Sequence, residues 1–89
     1  MISVTLVETD EYEVVVEGAA ETAHRVHMSQ AYYRSLCGAT VTHEFVLMTA
    51  FRLLLAQQTN ATLAPRFALA DVAAAMPGFE AALRDALDR

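Results

Sequence analysis

The stretch Val41–Gln57, VTHEFVLMTAFRLLLAQ, decides the fold. At 100° per residue its Phe45, Leu47, Met48, Phe51, Leu53, Leu54 and Leu55 cover most of a helix circumference, leaving a narrow polar stripe around Thr49, Arg52 and Ala56. Thr42 is placed to cap this helix, Val41 and Val46 have the spacing of a hydrophobic staple, and Glu44 sets negative charge near the positive end of the dipole. The pattern predicts a helix over 43–57. A helix apolar on nearly every side must be covered all round, and a chain of 89 residues has little else to cover it. The expectation is a central helix either wrapped by the rest of the chain or shared between two subunits, with Phe45, Met48, Phe51 and Leu55 as the shared face.

Upstream of that helix the period changes to two. Ile2, Val4 and Leu6 alternate with Ser3, Thr5 and Val7, and Tyr12, Val14 and Val16 alternate with Glu13, Val15 and Glu17. Two such segments around Thr9-Asp10-Glu11 read as a β-hairpin with an acidic tip. Gly18-Ala19-Ala20-Glu21 breaks the pattern. A third segment follows, with Thr22, His24, Val26 and Met28 on one side and Ala23, Arg25 and His27 on the other. Ser29 then caps a short helix over Gln30–Cys37 that Gly38 stops. Downstream, Pro65 marks a bend, Leu69, Val72, Ala73 and Met76 give a short helical period, and Pro77-Gly78 introduce a last helix with Phe79, Leu83 and Leu87 inward. The predicted fold is α+β over a single domain, residues 1–89: a three-stranded antiparallel β meander followed by about four α-helices.

Charge is unevenly distributed. The net charge is −5, yet residues 1–24 alone carry −6, from Glu8, Asp10, Glu11, Glu13, Glu17 and Glu21, and the chain has no lysine. An acidic balance of this kind disfavours general affinity for nucleic acid or anionic lipid, both of which are bound chiefly through positive charge. The acidic hairpin is either a docking surface for a basic protein partner or a solvated edge. Cys37, the single cysteine, excludes an intrachain disulfide and suits a reducing compartment. No signal-peptide pattern and no apolar run of about 18 residues is present, so a cytoplasmic protein without a membrane span is expected.

Candidate chemistry is sparse. Glu21, His24 and His27 spell Glu-x-x-His-x-x-His, which on a helix could gather round a metal; on a strand, the odd offset sends the two histidines to opposite faces. Cys37 and His43 could be imagined as a thiolate and base, but no third orienting group is evident, and a cysteine at a helix C-terminus is poorly placed to ionise. With three glycines in all, a phosphate cradle has little to build on. The expectation is a non-enzymatic, homodimeric interaction module without cofactor or metal; a metal- or thiol-dependent enzyme is the remote alternative.

Two resemblances bear on this reading. The order strand, short helix, turn, longer apolar helix over residues 24–57 resembles the ribbon-helix-helix repressors, which dimerise through that unit. The resemblance implies that Arg25 and His27 read the major groove and that the amides near Thr42 meet a backbone phosphate. It requires strand 24–28 to pair with its own symmetry mate rather than with Tyr12–Val16, and the acidic segment before that strand departs from the family's pattern. Over nearly its full length the chain also resembles a group of small prokaryotic proteins of unknown function. The shared motifs are Tyr-Tyr-x-x-Leu-x-Gly at Tyr32–Gly38, Phe-x-Leu-Leu at Phe51–Leu54 and Pro-Gly-Phe-Glu at Pro77–Glu80; this implies a common fold and no activity.

Overall fold

The first two alternating segments form a hairpin: β1 (Ile2–Glu8) pairs antiparallel with β2 (Glu11–Val16) in the computed structural model, which describes residues 1–18, 20–38 and 40–88. Asp10 makes the turn with a φ of 61°, a left-handed conformation that aspartate tolerates better than most side chains. Its carbonyl accepts from the Met28 amide, tying the tip to the third strand. Ala19, inside the Gly18–Glu21 break, lies outside the described residues. β3 (Thr22–His27) pairs antiparallel with β2, with His24 and Val26 buried and Ala23 and His27 exposed.

The sheet has a fourth strand and is mixed, which corrects the three-stranded antiparallel meander. β4 (Arg66–Ala68) runs parallel to β3, giving the order β1-β2-β3-β4. Two helices cross between β3 and β4, as a parallel connection requires. The bend at Pro65 is the entry to this strand, where the Pro65 carbonyl accepts from the Arg25 amide at 2.8 Å.

α1 (Gln30–Cys37) begins at Ser29, whose side chain accepts from the Tyr32 amide, and ends at Gly38 with a φ of 62°. α2 (His43–Leu55) begins at Thr42, whose hydroxyl accepts from the Phe45 amide. It ends two residues before Gln57 because the chain must turn toward β4 through a 3-10 turn at Asn60–Thr62. α3 (Leu69–Ala75) and α4 (Phe79–Leu87) complete the chain, with Phe79, Leu83 and Leu87 buried.

One core unites these elements. Val14, Val26, Val46, Leu47, Ala50, Phe51, Leu69 and Leu83 are fully excluded from solvent. Thr49, read as part of a polar stripe, is buried; its hydroxyl donates to the Phe45 carbonyl one turn back at 2.8 Å and so needs no water.

A polar clasp joins α1 to α4. The Tyr32 hydroxyl donates to Glu80 Oε2 at 2.9 Å, and Arg84 pairs with Glu80 Oε1 at 3.1 Å. Burial first, and the hydrogen bond to the carboxylate second, push the Tyr32 phenol up from 10.0 to about 12. A phenol that holds its proton more tightly in the fold stabilises fully below its unfolded value, and this contribution is lost as pH rises from about 10 to about 12. Spectrophotometric titration of the tyrosines is expected to show a late component near pH 12 that moves down in Glu80→Gln. An identical curve in that variant would refute the clasp.

Candidate functional site: an open edge beside an apolar helix stripe

β1 is an edge strand, and its free side can be derived from its pairing. Met1 and Glu17 exchange both backbone hydrogen bonds, at 2.9 and 3.2 Å. Antiparallel ladders alternate, so Ser3 and Thr5 also bond to β2, while Ile2, Val4 and Leu6 turn their N–H and C=O groups to the open side. The other edge, β4, is three residues long and offers little. β1 has seven residues, no charge from Ile2 to Val7 and no proline, the devices that ordinarily guard such an edge. Its ladder becomes irregular only between Leu6 and Glu8.

Apolar side chains on this strand and on α2, which packs against it, are incompletely covered. Leu6 belongs to the inward face, opposite buried Tyr12, yet is 63% exposed because the sheet ends there. Phe45, in the first turn of α2, is 41% exposed, and Met48 and Leu55 are half-buried on the same helix. Phe51 is the exception among the four residues expected at a shared face. It is 0% exposed, stacked with Phe67 at 5.9 Å between ring centroids and tilted against His24 at 5.7 Å. That residue is core, and the outward stripe runs instead through Glu44, Phe45, Met48, Arg52 and Leu55.

Between the start of α2 and the end of β1 lies a recess of about 420 Å³, lined by Val4, Leu6, Tyr12, Gln30, His43 and Glu44 among others. Its floor is an aromatic stack: the His43 ring lies 3.8 Å from Tyr33 and 6.0 Å from Tyr12, each at 20°. The Tyr33 hydroxyl donates to the Val41 carbonyl, and His43 Nε2 lies 3.3 Å from Gln30 Oε1. Burial raises the Tyr12 phenol, with the Asp10 charge adding to it, and burial raises Tyr33. Both phenols therefore stay neutral at ordinary pH. This floor is an aromatic platform, and its rim is Leu6 and Glu44.

The other sequence candidates are dispersed. His24 is buried and bonded to Thr22 and Ala64, whereas His27, on the opposite face, contacts Glu11 at 2.5 Å. Among the described residues no group of three His, Cys, Asp or Glu side chains is arranged to hold a metal. The Cys37 thiol lies 3.5 Å from the Tyr33 carbonyl one turn earlier, while His43 is engaged by the stack. Arg25 and His27 lie on the strand face turned away from the core, and Thr42 caps α2 on the helix side, so the three do not share a surface. β3 lies between β2 and β4 and pairs with Glu11–Val16. No described helix is long and apolar enough to cross a membrane.

The chain matches no family model, no curated protein and no solved structure.

Proposed function

We propose that this protein is a small, non-enzymatic interaction module that works as a homodimer, docking through the edge formed by β1 and the outward stripe of α2. The observation that carries this reading is the coincidence of an unguarded, seven-residue backbone edge that leaves Leu6 exposed with a helix, α2, that packs against this same strand and leaves Phe45 exposed in its first turn. Single exposed apolar residues are ordinary; their placement along an open edge free of charge from Ile2 to Val7 is not. A docking surface of this composition gains from burying both its side chains and its backbone.

Sedimentation at micromolar concentration is expected to give twice the 9.7 kDa chain mass. Phe45→Glu places a charge on the stripe without touching the core. It is expected to weaken association at least tenfold while leaving the thermal midpoint of the monomer nearly unchanged. A wild-type protein that remains monomeric at tens of micromolar would overturn the reading.

A further inference from the structure

We propose that the two copies join β1 to β1 in antiparallel fashion with Val4 on the two-fold axis, merging two four-stranded sheets into one and crossing the two α2 helices antiparallel at Met48; this rests on the homodimer reading above. A two-fold interface is self-complementary, so each residue of the patch must meet its own reflection through the axis. That condition can be tested position by position.

The backbone selects the register. Only Ile2, Val4 and Leu6 present hydrogen-bonding groups outward, so those three must pair among themselves. An axis at Val4 pairs Val4 with its own copy and Ile2 with Leu6 of the second copy, and every outward group from Ile2 to Leu6 is then bonded. Moving the axis to Ser3 leaves Leu6 without a partner. Moving it to Thr5 sets Ile2 against Glu8, across the irregularity in the ladder. The Val4 axis also covers the 63% exposed Leu6 with an isoleucine on the inward face.

A strand pair alone is too small, because a stable dimer buries roughly 1,200–2,000 Å² in total. The helices must contribute, and their placement allows it. Leu6 and Glu44 line one recess, while Leu55 shares another with Val16, the strand partner of Ile2. α2 therefore runs antiparallel to β1, with Met48 near the level of Val4. With strands about 4.8 Å apart and packed helices about 8–10 Å apart, helices seated over two adjoining edge strands meet across the same axis.

Charge then agrees with the backbone independently. Glu44 and Arg52 are both exposed, and neither forms an ion pair among the described residues. They stand four residues before and four after Met48. An axis at Met48 places Glu44 of each copy opposite Arg52 of the other, forming two ion pairs, and sets Met48 against Met48. A molecule of net charge −5 should repel its copy, so an interface with no charge on the paired stretch from Ile2 to Leu6 and matched charges on the helix is what association requires.

Cross-linking in a Cys37→Ala background tests the register separately from the oligomeric state. In the Val4 register Ser3 of one copy faces Thr5 of the other in a non-bonded pair, with Cα atoms about 4.5 Å apart, within disulfide range. Mixed Ser3→Cys and Thr5→Cys proteins are expected to form a disulfide heterodimer on mild oxidation, while neither variant alone links to itself. Self-linkage of Ser3→Cys or of Thr5→Cys would shift the axis and refute the Val4 register; a sedimenting dimer that links in none of these mixtures would refute strand pairing and leave the homodimer standing; a monomer would remove both. For the helices, Glu44→Arg is expected to raise the dimer dissociation constant roughly tenfold, and Arg52→Glu added to it is expected to restore the wild-type value. A double variant no tighter than the single one would refute the antiparallel helix pairing.

Discussion

Replacing Phe51 by alanine is expected to cost about 3–5 kcal/mol of folding stability, the largest effect of any single substitution in α2. The ring is fully excluded from solvent and packs between His24 and Phe67, where β3, β4 and α2 converge. Truncation removes the transfer free energy of the ring and leaves a cavity that the surrounding β-sheet can only partly close. For a domain of this length that is a large share of a total stability on the order of 5–10 kcal/mol. Urea denaturation read by tyrosine fluorescence checks it, with Phe45→Ala as the internal comparison. Phe45 is 41% exposed and stands outside the core cluster, so its loss is expected to cost the monomer clearly less. Equal losses at the two positions would mean that Phe51 does not occupy the core.

The same pair shows how far the sequence could be read. Phe45 and Phe51 are both phenylalanines on one apolar helix, and periodicity assigns them the same character. What separates them is what lies opposite: β3 and β4 against Phe51, and solvent over much of Phe45. β4 itself left no signal, since three residues are too few for a period and a parallel partner needs no turn nearby. Local signals fared differently. Ser29, Thr42 and Gly38 act through hydrogen bonds and backbone angles within a few residues of themselves, and each stands where its chemistry predicts. The alternation of β2 likewise marks its buried face without help from the rest of the chain. Leu6 illustrates the boundary between the two cases: its place on the inward face was legible, but its exposure depends on β1 having no neighbour.

His24 carries the second large effect, and here the reasoning is about polar satisfaction rather than volume. Asn60 Nδ2 donates to Thr22 Oγ1 at 2.9 Å and to the Ala20 carbonyl at 2.8 Å. Thr22 Oγ1 in turn lies 2.9 Å from His24 Nε2, and His24 Nδ1–H donates to the Ala64 carbonyl at 2.8 Å. A carbonyl can only accept, so Nδ1 of this ring, which is 3% exposed, carries a proton. The network also connects β3 to the segment between α2 and β4 at two points, Asn60 and Ala64, on the route by which the chain reaches its parallel strand. His24→Leu keeps most of the volume but strands the Ala64 carbonyl and the Thr22 hydroxyl, at an expected cost of about 2–3 kcal/mol. Asn60→Ala is expected to cost about 1–2 kcal/mol by releasing the other point. Because both substitutions break the same relay through Thr22, the double variant should lose clearly less than the sum of the two. Strict additivity in denaturant titrations would show that the two residues act separately, and that the connector is held by Asn60 and its backbone acceptors without the histidine.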